Sequence, residues 1–133
     1  MGVFELSYAE WSKKELNYDF NSVFVLVSVI YLVCTFYDFS LTYITFRLSP
    51  DGFFKYELSF VIKEALSGSP LFCMLIVLFV FSPLIIVYGL NAYLVHVYGR
   101  SVNEIRVCFF SLYVLSIIHI YGGLTNLVYI VNL

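Results

Sequence analysis

The chain has 133 residues, of which 62% are hydrophobic and 12% are charged, and its mean hydropathy is +0.93. A soluble domain carries about 25% charged residues, so this composition argues against a soluble protein and predicts an integral membrane protein. The net charge of −2 gives no reason to expect nucleic acid as a partner. Three cysteines, all in apolar runs, exclude a complete disulfide framework, and we expect them to be small buried side chains.

The N-terminal part of the chain leads into the first predicted membrane span. Residues 1–19 mix polar and apolar side chains, including Trp11, and predict a short interfacial helix. A frayed terminus is the alternative. Residues 20–46 form the first apolar run. As a helix this run is about 40 Å long, which exceeds the hydrocarbon thickness of about 30 Å, so we expect it to tilt or protrude.

The connection that follows is polar and is predicted not to span. Within residues 47–52, Pro50 disfavours helix at the residue before it, and the next two residues, Asp-Gly, are typical of a turn. Residues 53–66 are too short and too charged to cross a membrane, because they contain Lys55, Glu57, Lys63 and Glu64. We predict one short helix at the membrane surface there.

Two further apolar runs, residues 71–98 and 105–131, complete the predicted architecture. The connection between them is short, so these two spans are expected to form an antiparallel hairpin. The predicted fold class is therefore all-α: a single membrane domain over residues 1–133, built as a bundle of three transmembrane helices with its termini on opposite sides.

The predicted orientation depends on a small difference in basic residues. One side of the membrane would hold four and the other three: Lys13, Lys14, Arg100 and Arg106 against Arg47, Lys55 and Lys63. Because Lys and Arg are enriched on the cytoplasmic side, we predict a multi-pass protein of the cell membrane with a cytoplasmic N-terminus.

A carboxylate inside the first span is the most informative residue. At about 100° per residue, several polar side chains share a helix face with Asp38: Tyr31, Cys34, Thr35, Thr42 and Thr45. Lipid offers these groups no partner, so the stripe must face protein or a wet cavity. Two interpretations stay open. Asp38 forms a proton, ion or substrate site, or it is a structural residue bonded to neighbouring hydroxyls.

The third span has a similar polar stripe, centred on His119. Glycines on this face permit close helix approach, and its polar side chains can bond across the contact; the face consists of Ser116, Gly122, Gly123 and Asn126. A packing face with one satisfied histidine is the alternative to a functional site. Both spans start from the same side, and Asp38 and His119 lie within about 6 Å in depth by helical rise. We predict that they pair, directly or through Thr42 or a water.

The remaining polar residues predict no cofactor. His96 and His119 differ in depth by about 20 Å, so they cannot ligate one haem iron, and no other metal-ligand spacing is present. The sequence contains no Gly-rich phosphate loop, no G-x-S-x-G and no H-E-x-x-H, so the chain is not expected to be catalytic by itself. Glu57, in the first loop, is a candidate acidic site, with a solvated surface charge as the alternative.

The order of these residues resembles that of a known family. Asp38 and Thr42 form D-x-x-x-T in the first span, Tyr56 and Glu57 form an aromatic-Glu step in the loop, and Asn126 and Asn132 flank the end of the last span. Over residues 25–133 this resembles an uncharacterised family of short three-helix membrane proteins, mainly archaeal, known only as a domain of unknown function. That family usually has Glu-x-Asn-Pro where this chain has Glu-Leu-Ser-Phe. The resemblance implies three spans and no particular activity.

Four functions are compatible with these features. The first is an accessory or structural subunit of a larger membrane complex, such as a respiratory or energy-converting one. The second is a small transporter or channel, working as a homo-oligomer with Asp38 lining the path. The third is an intramembrane enzyme that uses Asp38 and Glu57, and the fourth is a hydrophobic envelope protein. The expected partners are the lipid bilayer and either other membrane subunits or further copies of the chain.

Overall fold

The computed structural model of the protein describes residues 20–57, 59–98 and 104–133. Its elements in these ranges are all helical, which confirms the all-α class: α1 (Phe20–Leu48), α2 (Pro50–Tyr56), α3 (Phe60–Leu66), α4 (Pro70–Tyr98) and α5 (Glu104–Val131). Within the described ranges three helices, α1, α4 and α5, are long and apolar enough to cross a membrane, which supports a small multi-pass membrane protein. The predicted N-terminal interfacial helix lies outside the described residues.

Helices α1 and α5 run parallel and form the main packed pair. At the end of the bundle where α1 and α5 begin, called the first end, the rings of Phe20 and Phe109 lie 5.5 Å apart. At the opposite end, called the second end, the hydroxyl oxygens of Ser49 and Tyr129 lie 3.2 Å apart. The interior near the first end is an apolar core contributed by α1, α4 and α5: Phe20, Val27, Tyr31, Val87, Phe109 and Leu112. The two predicted polar stripes face each other between α1 and α5, in the part of the bundle that lies between this core and the second end.

Helix α4 contains a proline, and side chains compensate for the hydrogen bond that it removes. Pro83 has no N–H, so the carbonyl of Phe79 lacks its usual partner four residues on. The Ser82 hydroxyl donates to that carbonyl at 3.2 Å. One residue further, the Tyr31 hydroxyl of α1 donates to the Val80 carbonyl at 3.0 Å. Since lipid supplies no donor, these bonds satisfy α4 locally and attach it to α1.

The Asp-Gly step predicted as a turn is instead helical. Pro50 and Asp51 open α2, and only Ser49 separates it from α1. Proline is favoured at the first helical position because its fixed φ suits the helix and its missing N–H is not needed there. Asp51 adds a negative charge to the first turn, where the helix dipole favours it. The prediction that Pro50 ends the first span is consistent with this arrangement, but the prediction of a turn at residues 51–52 is wrong.

The single helix predicted over residues 53–66 is also wrong in detail, because the structure has two. The backbone at Glu57 is extended, with φ −67° and ψ 120°, and ends α2. The Ser59 hydroxyl accepts the N–H of Ile62 at 3.3 Å and caps α3. Serine competes with helix in the middle of a segment and stabilises a helix start, so the segment divides at this point.

The two short helices pack on different spans. In α2, Phe53 is buried and its ring lies 5.6 Å from that of Phe46 of α1. In α3, Ala65 is buried and its carbonyl accepts the Cys73 thiol of α4 at 3.6 Å. Cys73 is itself exposed, so the expectation of a buried cysteine is wrong there. The break at Glu57 therefore lies between α1 and α4, at the second end of the bundle.

Candidate functional site

The site is centred on a contact between the middle of α1 and the middle of α5. His119 Nδ1 lies 2.8 Å from Asp38 Oδ2, which confirms the predicted pairing and shows that it is direct. The imidazole is flanked by the rings of Tyr31 and Phe39, each with its centroid 6.0 Å away. The pair is not sealed off, since the Asp38 side chain is 17% exposed and that of His119 is 20% exposed.

Two consecutive glycines allow this close approach of α5 to α1. A Cβ atom added to Gly122 would lie 2.8 Å from Asp38 Oδ1 and 3.0 Å from Oδ2. A Cβ atom on Gly123 would overlap the ring of Tyr37. A side chain at Gly122 would therefore displace the Asp38 carboxylate or push α1 and α5 apart, and one at Gly123 would displace the Tyr37 ring or do the same. The small residues of the predicted stripe position the pair.

One helical turn toward the second end, the two polar stripes meet again. Asn126 Nδ2 donates to Thr42 Oγ1 at 3.1 Å and to the Gly122 carbonyl at 3.1 Å. Three further buried hydroxyls, those of Thr35, Thr45 and Ser116, bond to carbonyls of their own helix four residues earlier. The buried Ser28 hydroxyl of α1 has no partner among the described residues. The predicted facing of the two stripes is thus confirmed within one chain, and the stripes supply no argument for a second copy.

A cavity opens beside this contact, between α1, α5 and the two short helices. We call it the polar cavity because carboxylates, hydroxyls and an amide line it, although apolar groups supply the larger part of its wall. Its volume is about 420 Å³, within the usual range of about 300–1,000 Å³ for small-molecule sites. Its lining includes three of the predicted site residues of the spans and also Glu57 from the break between α2 and α3: Asp38, Thr42, Asn126 and Glu57. His119 is connected to the cavity through Asp38.

The charges around this cavity are unbalanced. Of the described residues that line it, two are acidic, Asp38 and Glu57, and none is Lys, Arg or His. Glu57 Oε1 accepts the N–H of Ser59 at 2.7 Å, which holds the carboxylate at the helix break. The nearby Lys55 ammonium instead lies over the ring of Tyr56, 5.4 Å from its centroid. The arrangement can attract a positively charged group and offers hydroxyl and amide groups to orient it.

Sequence reasoning missed several lining residues, among them Tyr129 and Gly52. Tyr129 follows Asn126 by three positions, so it falls on the same face of α5, and this spacing was an available signal. A Cβ atom on Gly52 would overlap the Tyr129 hydroxyl, so α2 packs closely against α5 here. That contact joins residues distant in sequence, and no local pattern predicts it.

The comparisons with known proteins give no assignment. The chain matches no known family, no curated protein and no solved structure. The resemblance to short three-helix membrane proteins therefore stays a prediction. Within the described residues, no group of three or more His, Cys, Asp or Glu side chains could hold a metal ion. The function must be argued from the polar cavity itself.

Proposed function

We propose that this chain is a small membrane transporter or channel component that binds a positively charged group in the polar cavity beside Asp38 and His119. The observation that carries the proposal is the position of Asp38. Its carboxylate contacts His119 at 2.8 Å and also lines an open cavity of about 420 Å³. A carboxylate inside a membrane span is costly and marks ion or substrate pathways.

The electrostatics of the cavity support a cationic ligand. Two carboxylates, those of Asp38 and Glu57, line the same cavity. At about 5 Å and an effective dielectric constant of about 20, each charge attracts a unit cation by about 3 kcal/mol. The described lining residues include no Lys, Arg or His, so the cavity wall itself favours a cationic solute over an anionic one.

A purely structural role for Asp38 is less well supported. A structural carboxylate in a membrane protein is expected to be enclosed by its partners, because its charge is costly to leave unsatisfied. Asp38 keeps 17% of its side chain exposed and faces the cavity. By contrast, the hydroxyls of Thr35 and Ser116 on the same interface are buried and bonded within their own helices. The hydroxyls of Thr35 and Ser116 are thus enclosed by protein, whereas the Asp38 carboxylate is open to the cavity.

Uptake of tetramethylammonium into proteoliposomes tests the proposal. Asp38→Asn keeps the shape of the side chain and a hydrogen-bonding group for His119, so folding should be retained while the charge is lost. We expect uptake to fall at least about tenfold. Asp51→Asn is the matched control, because Asp51 is exposed in α2 and is not part of the cavity lining; it should leave uptake unchanged. Equal uptake by the wild type and Asp38→Asn would overturn the proposal.

An accessory subunit of a larger membrane complex is the second candidate. Helix α4 favours this candidate, because only 6% of its most apolar stretch is buried, compared with 22% of the corresponding stretch of α1. The outward face of α4 can pack on helices of another membrane protein in place of lipid. Purification from native membranes separates the candidates. Stable co-migration with larger partners would support the accessory role, and a homogeneous assembly of this chain alone would support the transporter or channel.

A further inference from the structure

We infer that the positively charged group belongs to an amphiphile from the surrounding bilayer, whose head group enters the polar cavity while its hydrocarbon chain occupies an apolar cavity beside it. This inference rests on the proposed cation site and names the class of its ligand. It is carried by two adjoining cavities that share part of one wall, of which one contains two carboxylates and the other is lined almost entirely by apolar groups.

The second cavity lies between α1, α3 and α4. Its volume is about 230 Å³, and its lining is mainly apolar: Phe39, Tyr43, Leu66 and Ile76 contribute to it. Thr42 and Ile62 line both this cavity and the polar one. The two cavities therefore adjoin at these two residues, with the carboxylates on one side and hydrocarbon on the other.

The volumes and the lining residues of the two cavities favour a single ligand that occupies both. An apolar cavity of about 150 Å³ is large enough to bind benzene, so this one can take several carbon atoms of a chain. A dissolved inorganic cation would use only the carboxylates of the polar cavity and leave the apolar cavity without a role. An anionic head group would face Asp38 and Glu57 without a basic partner among the described lining residues. A cationic head with an attached chain matches both sides of the shared wall.

The connection between the two short helices supports this geometry. Helix α2 packs on α1 and α3 packs on α4, so the break at Glu57 bridges the opening between those spans. Ile62 of α3 separates the region near Glu57 from the apolar cavity. A head group held near Glu57 thus has its chain directed past Ile62 and Thr42, toward the lipid-facing side of α4.

Binding of dodecyltrimethylammonium to the protein in nanodiscs of zwitterionic lipid tests the inference, with tetramethylammonium as the probe without a chain. Ile76→Trp fills the apolar cavity without touching the polar one, and Leu66→Trp does so from α3. We expect each to weaken binding of the dodecyl compound at least about tenfold and that of tetramethylammonium less than about twofold. Ile86→Trp, at an exposed position of α4 outside both linings, is the matched control and should change neither.

The outcomes separate this inference from the proposed function. If Asp38→Asn weakens binding of both compounds but neither tryptophan variant affects the dodecyl compound, the cation site stands and the amphiphile is excluded. If Asp38→Asn leaves both compounds bound as in the wild type, the cation site itself is wrong. Equally tight binding of dodecyl sulfate would overturn the assignment of a cationic head group.

Discussion

Gly122 leaves no room for a side chain beside Asp38, so replacing it with alanine tests whether the two polar stripes are packed as described. An alanine Cβ atom would lie 2.8 Å from Asp38 Oδ1, 3.0 Å from Oδ2 and 3.1 Å from Cγ. Favourable contacts between such atoms lie at about 3.5–4.0 Å. Because all three atoms belong to one carboxylate, we expect the whole group to move away and its 2.8 Å contact with His119 to lengthen.

The expected magnitude follows from two opposing terms. Loss of a hydrogen bond to a charged group costs about 1.5–3 kcal/mol, whereas alanine in place of glycine inside a helix gains about 1 kcal/mol. Gly122→Ala should therefore lower the free energy of unfolding by about 0.5–2 kcal/mol. Gly89→Ala in α4 is the matched control, because a Cβ atom there meets nothing within 4 Å. It should stabilise the protein by about 0.5–1 kcal/mol.

Unfolding titrations with sodium dodecyl sulfate in mixed micelles, followed by circular dichroism, measure both variants. We expect the two alanine variants to move the transition in opposite directions. If Gly122→Ala is as stable as Gly89→Ala, the close approach of α5 to the Asp38 carboxylate is refuted.

Two further contacts give predictions in the same titration. Asn126→Ala removes the bond to Thr42 and should destabilise the protein by about 0.6 kcal/mol and at most about 1.7 kcal/mol; an unchanged transition would show that the stripes do not bond there. Tyr31→Phe removes the donor to the Val80 carbonyl and should lower the free energy of unfolding by a similar amount. Tyr121→Phe is the control, because that side chain is 70% exposed, and its free energy of unfolding should stay within about 0.5 kcal/mol of the wild type. Equal effects of the two tyrosine changes would contradict the link between α1 and α4.

The central pair was predictable because it follows from helical arithmetic alone. A rotation of about 100° and a rise of about 1.5 Å per residue place Asp38 and His119 on polar faces at similar depth. Two parallel spans with such faces have few other ways to satisfy a carboxylate in lipid. The same reasoning placed Thr42 and Asn126 on the facing stripes, and the structure joins them.

The cavity was not predictable to the same degree, because it depends on contacts between residues distant in sequence. The position of Glu57 follows from the division of the loop into two helices that pack on different spans. The approach of Gly52 to Tyr129 then closes α2 against α5. Neither periodicity nor composition contains this information. The sequence therefore presented Glu57 as an isolated loop charge, while the structure places it in the same cavity as Asp38.

The most direct test of the account is the reactivity of a single cysteine placed in the polar cavity. Thr125 lines that cavity and is exposed, with its hydroxyl bonded to the Gly122 carbonyl of its own helix. Thr125→Cys would be made in a chain whose three native cysteines are replaced by serine. Rates of modification by trimethylammonium-ethyl and sulfonatoethyl methanethiosulfonate would be measured from each membrane side and divided by the rates with free cysteine.

The account predicts reaction only from the side of α2 and α3, with the cationic reagent faster by at least about tenfold. At an assumed separation of about 8 Å and an effective dielectric constant of about 20, a carboxylate changes the free energy of a unit charge by about 2 kcal/mol. The preference should fall when Asp38→Asn is added. No reaction from that side, or equal normalised rates for the two reagents, would contradict an open acidic cavity inside the membrane.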